Sequence, residues 1–211
     1  MKVYVTKFAS YQPSQENPGE MPKLEYVDAL FRRRLSQISR MTIEVVHSLL
    51  EGEPESSGLK LVFASFRGEI ARQLKINKGL VEDACVMPAQ FSLSVFNTPP
   101  AATTIALGMK AGYTAIYPSE DNFLSALTAA ASGILADSEK KVIFAYADEK
   151  IPEEYSKCRG YSQDLPLAFA CLLSAEKSDG AIEIDFEGEN FSSIKPIEFL
   201  DYLRVSQNGR K

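Results

Sequence analysis

The stretch Ala115–Leu127, AIYPSEDNFLSAL, has the outline of a strand, a polar corner and a helix. Such a corner can hold a nucleophile against the positive end of a helix. Here it offers Ser119, Glu120 and Asp121. A serine nucleophile needs a histidine base within hydrogen-bond reach, and the chain has one histidine, His47. His47 falls in the helical pattern Ser36–Leu50, beside an apolar stripe of Ile38, Met41, Val45, Val46, Leu49 and Leu50, and reads as a surface or partly packed residue. The corner also has a purely structural reading. Ser119 would cap the helix, and Glu120 and Asp121 would complement its dipole, each stabilising by about 0.3–1 kcal/mol.

The three cysteines are Cys85, Cys158 and Cys171. Cys85 follows an amphipathic pattern and Cys171 lies in an apolar run, so both read as core. Cys158, in the polar stretch SKCRGYS, reads as exposed and is a second candidate nucleophile. One histidine and scattered cysteines cannot supply a zinc tetrad, and no Gly-rich phosphate motif is present; neither a metal nor a cofactor is expected. The run Arg32-Arg33-Arg34 is either a solvated or internally paired face, or a docking surface for an acidic partner.

These groups must be positioned by a chain of 211 residues with a formal net charge of -5 and 45% hydrophobic residues. An acidic balance argues against a nucleic-acid partner, because phosphate contacts call for a basic face. The cysteines lack both CxxC spacing and an even disulfide framework, which suggests a reducing compartment. With no apolar signal region at the N-terminus and no run long enough to span a membrane, a cytoplasmic location is expected.

Along the chain, strands are expected at Lys2–Phe8, Gly58–Ser65, Tyr113–Tyr117, Lys141–Tyr146, Leu167–Ala175 and Ala181–Phe186, with Pro88–Val95 extended. Helices are expected at Ser36–Leu50, Arg67–Leu74, Gly79–Met87, from Asn97-Thr98-Pro99-Pro100 to about Met109, at Glu120–Leu135 and within Ser192–Val205, with a short amphipathic piece at Val27–Arg34. Gln12–Lys23 reads as a polar loop and the tail from Ser206 to Lys211 as frayed. Alternating strands and helices, with several strands apolar throughout, imply one α/β domain over residues 1–211 with a mostly parallel sheet covered on both faces.

The segment from Met87 to Asp148 resembles the N-terminal half of a β-ketoacyl synthase, an enzyme of the thiolase-like fold. The order Ser94-Val-Phe-Asn97, the helix after it, Gly108-Met-Lys-Ala-Gly112, the strand Tyr113–Tyr117 and the Ser-Glu-Asp corner follows the ketosynthase order. More narrowly, FRRRLSQISRMTIEV (31–45), FASFRGE (63–69) and FSLSVFN (91–97) resemble half-length, chain-length-factor-like proteins encoded beside ketosynthases in aryl-polyene and flexirubin-type pigment clusters. One departure is Phe96, where that family commonly carries a histidine before the asparagine.

The resemblance implies the N-terminal half of a thiolase-like fold. It also implies a nucleophile position that falls on Glu120, or on Ser119 if shifted by one. Ketosynthase chemistry needs a cysteine thiolate there and two histidines to polarise the malonyl thioester. The expected function is therefore a non-catalytic, chain-length-factor-like subunit pairing with a full β-ketoacyl synthase in polyene or fatty-acyl synthesis, or with a second copy of itself. Partner- and tunnel-facing roles are expected at Phe96, Asn97, Thr98, Pro99, Pro100, Tyr113, Thr114, Ala115 and Ile116. Two alternatives stand beside it. One is an active acyltransferase or thioesterase using Ser119 or Cys158. The other is a module that binds acyl carrier protein through Arg32, Arg33 and Arg34.

Overall fold

The computed structural model describes residues 2–54, 56–119, 122–158, 165–186, 191 and 193–209. The chain runs β1 (Lys2–Tyr11), α1 (Ala29–Arg32), α2 (Gln37–Leu50), β2 (Lys60–Ala64), α3 (Ile70–Asp83), α4 (Pro88–Phe91), α5 (Thr98–Ala106), β3 (Tyr113–Ile116), α6 (Phe123–Leu135), β4 (Lys141–Asp148), β5 (Leu167–Ser174), β6 (Ile182–Asp185) and α7 (Pro196–Asn208). The strands form one sheet in the order β3-β2-β4-β5-β1-β6.

The α/β reading holds, but the sheet is mixed rather than mostly parallel. Parallel pairing is confined to β3 with β2 and β2 with β4, while β4–β5, β5–β1 and β1–β6 are antiparallel. Antiparallel strands buried on both faces look as uniformly apolar as parallel ones, so the apolar run of β5 could not reveal its direction.

The period-2 alternation of side chains sorts the sheet into two faces. On one, Val142, Phe144 and Tyr146 of β4 meet Phe169, Cys171 and Leu173 of β5 beneath α6 and α7. On the other, Ile143, Ala145 and Ala147 meet Ala168, Ala170 and Leu172 beneath α2. The register places Ala145 opposite Ala170 and Ala147 opposite Ala168. These small residues leave room for α2 to lie close to the sheet, whereas the aromatic face supports Phe123 of α6 and Phe199 of α7, which meet at 5.4 Å between ring centroids. Opposite the sheet, α2 also buries Ile43 against Leu24, Val27, Leu35 and Ala102, and so it is the central helix of its layer.

Four local expectations are corrected. Residues 67–87 hold one helix, α3 (Ile70–Asp83), and not two. Gly79 sits inside it, and its carbonyl accepts the Cys85 amide that ends the helix. An added Cβ at Gly79 would lie 3.3 Å from the Cys85 carbonyl, so glycine here marks a close return of the chain rather than a break. Pro88–Val95 is not extended: Pro88 opens the short helix α4, and Phe91 and Val95 are exposed with no sheet beside them. Helix α7 continues through Asn208, into the tail expected to fray. Helix α3 has no buried residue, and accordingly Cys85 is exposed, where a core position was expected.

Candidate functional site

In open α/β sheets, ligands and active residues gather outside the carboxyl ends of parallel strands. The carboxyl ends of β3, β2 and β4 here bring together three segments: 65–69 after β2, 117–119 after β3, and Asp148-Glu149 at the end of β4.

Asp148 organises the first of these. Its Oδ1 accepts Ser65 Oγ at 2.6 Å, the Arg67 amide at 3.0 Å and the Phe66 amide at 3.1 Å, and Tyr146 donates its hydroxyl to Oδ2. Ser65 Oγ in turn accepts the Gly68 amide at 2.7 Å. Burial raises the carboxyl pKa of Asp148, against the opposing pull of these hydrogen bonds and of Arg67. A tight turn of backbone donors around one carboxylate results, with Gly68 in the left-handed region at φ +57°.

Tyr117, just past β3, closes over this turn. A Cβ at Gly68 would stand 2.0 Å from its hydroxyl. The Tyr117 hydroxyl is buried with no hydrogen-bond partner; Ser65 Oγ is close, but it is engaged with Asp148 and Gly68. Burial pushes the Tyr117 hydroxyl pKa up. Phe96 lies against the Tyr117 ring at 3.5 Å between centroids.

Next to the turn sits a second acidic centre. Glu69 is the N-cap residue of α3. Its Oε1 accepts Ser36 Oγ at 2.7 Å and Ser39 Oγ at 2.8 Å, and its Oε2 accepts Arg72 Nε at 3.1 Å. Glu149 Oε1 accepts the Ala71 amide at 3.0 Å. Burial, and then the neighbouring Glu69 charge, raise the Glu149 pKa to about 7.

The expected site residues divide between these elements. β3 lies at the open edge of the sheet, with Tyr113 paired to Leu61 and Ile116 to Ala64, and Thr114 exposed. Asn97 is the N-cap residue of α5 and donates its amide to the Tyr113 hydroxyl at 3.0 Å. Phe96 is 49% exposed, but Thr98 is 6% exposed and Pro99 and Pro100 are also buried within this chain. Beside them, a groove of about 190 Å³ is lined by Phe31, Arg34, Leu93, Val95, Ala101 and Ile105, among others.

At the corner, the helix cap is Asn122, which accepts the Ser125 amide at 3.1 Å, and not Ser119. Helix α6 starts at Phe123, and Ser119 is exposed before it. An Asn side chain can take the same capping bond as Ser, so the corner contained two candidate caps. Glu120 and Asp121 lie outside the described residues.

The histidine lies elsewhere. Ser36, the N-cap residue of helix α2, lies at the carboxyl end of the strands, and His47 is eleven residues along, about 16 Å down the helix axis. There it stacks on Tyr26 at 3.8 Å. Cys171 is buried in β5, and burial raises its thiol pKa. Cys158 is exposed, as expected. Arg32 is committed internally, donating to the carbonyls of Leu24 at 2.9 Å and Lys23 at 3.2 Å, while Arg33 and Arg34 are exposed. Among the described residues, no group of three or more His, Cys, Asp or Glu could hold a metal ion, and no helix is long and apolar enough to cross a membrane.

Asp148, Glu149, Glu69 and Tyr117 were not singled out from the sequence. A signal was available in AYADE (145–149), where two carboxylates end an apolar strand. Such a pair must be satisfied by backbone donors or retain protons.

The family described as "Beta-ketoacyl synthase, N-terminal domain" matches residues 8–195, and the chain belongs to it. Among solved structures, the chain is similar to a "Ketosynthase (ApeO) in Complex with its Chain Length Factor (ApeC)" from Xenorhabdus doucetiae, at 21% identity and TM-score 0.70, covering 84% of this chain and 81% of that one. It is also similar to "the ishigamide ketosynthase/chain length factor", at 13% identity and TM-score 0.66, covering 85% of this chain and 64% of that one. A third likeness is to the type II polyketide synthase complex AntDE:AntF, at 14% identity and TM-score 0.59, covering 82% of this chain and 62% of that one. At these identities the likeness is one of fold. No curated protein matches the sequence.

Proposed function

We propose that this chain is a chain-length-factor-like subunit that pairs with a full β-ketoacyl synthase and does not itself condense acyl groups. The observation that carries the reading is the furnishing of the corner. The strand that leads a ketosynthase to its nucleophile is here β3, at an open sheet edge, and the corner after it holds Ser-Glu-Asp in place of a cysteine. The chain's cysteines lie at other positions, and its histidine is far along α2 in a stack with Tyr26. An open edge strand flanked by exposed Val95, Phe96 and Ile105 also needs cover. The finer setting, an aryl-polyene or flexirubin-type pathway, rests on the sequence resemblance of residues 31–45, 63–69 and 91–97.

Within this reading the surface offered to the partner is β3 with Phe96 and Asn97. Thr98 and Pro99 support that surface from beneath. The limit on acyl-chain length then falls to Phe96, the exposed bulky member of the group.

The test is co-expression with a full β-ketoacyl synthase that carries its Cys-His-His set. A stable complex is expected, with acyl transfer to the partner's cysteine and none to this chain. Covalent acyl labelling of this chain, lost in Ser119→Ala or Cys158→Ser, would overturn the proposal and favour the acyltransferase or thioesterase reading. In an active pair, Phe96→Ala is expected to lengthen the product distribution; unchanged products argue against the role of Phe96.

A further inference from the structure

Helix α3 is unlike the other long helices: none of its residues is buried. A 14-residue helix with exposed Leu80 and Val81 gains little from packing, so its position depends on its polar fixings. These concentrate at its N-terminus, where Glu69 accepts the Ser36 and Ser39 hydroxyls, Arg72 bonds both Glu69 and the Arg34 carbonyl at 3.0 Å, and Glu149 accepts the Ala71 amide. Further along, Gln73 bonds the Ser94 carbonyl at 2.9 Å, and Lys78 reaches Glu154 in a solvent-exposed ion pair, a kind worth little to stability.

Two carboxylates therefore meet where the N-termini of α2 and α3 converge. Glu69 is 1% exposed and Glu149 4%. From α2 the pair is faced by the Ser36 and Ser39 hydroxyls and the Ile38 amide. From α3 it is faced by Arg72 and the Ala71 amide. From the end of β4 come Asp148, which is turned into the Ser65 turn with Arg67, and Lys150, whose amide bonds Gln37. One arginine stands against two buried acids. The arrangement carries a surplus negative charge unless one acid keeps its proton.

We propose that Glu149, buried beside Glu69, forms a proton-controlled clamp on the α3–α4 arm: with Glu149 protonated the N-terminus of α3 is held to α2 and β4, and with Glu149 ionised it is released. The clamp reaches the proposed partner face through Gln73 and Ser94, which lies two residues before Phe96, although it does not depend on the chain-length-factor reading. The sign follows from linkage. Glu149 ionises more readily once the arm opens and exposes it, so opening releases a proton. Opening therefore grows as pH rises from about 4.5, the ordinary glutamate value, to about 7, and levels off above.

The test is hydrogen exchange of the full chain between pH 5.5 and 7.5, corrected for intrinsic exchange rates and read on peptides covering 70–83. If opening fully exposes Glu149, the opening constant rises by roughly 20-fold over that interval, while peptides of β4 and β5 keep their protection. Glu149→Gln removes the dependence on pH. Glu69→Gln, which keeps an acceptor for Ser36 and Ser39, shifts the levelling-off to lower pH and serves as the second probe if the first variant folds poorly. A change below about twofold in the native chain, or an equal change in both variants, overturns the clamp.

Discussion

Replacing Gly68 by alanine tests whether the turn after β2 is as tightly determined as its geometry implies. Gly68 stands at φ +57°, where an L-residue costs about 1–2 kcal/mol. The added Cβ would lie 2.0 Å from the Tyr117 hydroxyl, 3.0 Å from Phe96 Cδ1 and 3.2 Å from Tyr117 Cζ. Tyr117 cannot simply swing away, because Phe96 lies on its ring and its hydroxyl is enclosed. Overpacking of this kind costs about 1–3 kcal/mol. Gly68→Ala is thus expected to destabilise the chain by about 2–5 kcal/mol. Tyr117→Phe removes the atom that clashes and is nearly neutral by itself, since that hydroxyl has no partner to lose. In the double variant only the backbone cost and two tight carbon contacts remain. The two changes should therefore couple by about 1–3 kcal/mol in the favourable direction. Urea unfolding followed by far-ultraviolet circular dichroism measures all four corners of the cycle. A Gly68→Ala cost under about 0.5 kcal/mol, or a double variant no better than the sum of the singles, would refute the reasoning.

Phe123 opens α6 and meets Phe144, Tyr146, Phe169 and Phe199 at 5.4–6.1 Å; Phe123→Ala should cost about 3–5 kcal/mol, readable as a lower urea midpoint at unchanged slope. A thiol reagent applied to the native chain should label Cys85 and Cys158 within minutes and Cys171 only on unfolding, and mass spectrometry of the labelled peptides reports the order.

Local pattern made part of this molecule legible. The helix over 37–50 follows from six apolar residues at three- and four-residue steps, with Ser36 as its cap. Asn97 before Thr98-Pro99-Pro100 announced α5, since proline in a first turn loses no helical hydrogen bond. The elements that were misread failed for identifiable reasons. Gly79 looks like a stop until the Cys85 amide is seen returning to its carbonyl. Alternation at Phe91, Leu93 and Val95 looks like a strand, yet α4 borders no sheet and two of those side chains are exposed. Cys85 looked apolar enough for the core, but it lies just past α3, a helix that buries nothing.

The sequence by itself determined which chemistry is available. One histidine, no cysteine at the corner and an acidic balance are properties of residue identity, and no folding of the chain can alter them. The order of the ketosynthase-like segments is likewise a property of the string. Only the tertiary structure decided what those residues meet. Strand direction is set by crossovers and not by composition, and so the antiparallel half of the sheet was invisible beforehand. Asp148 and Glu149 are adjacent in the chain but turn to different partners. Asp148 closes on the Ser65 turn, and Glu149 reaches the N-termini of α2 and α3, far apart in sequence. Burial then changes their proton affinities, because the energy of a charge depends on what surrounds it, and those surroundings are assembled by long-range contacts.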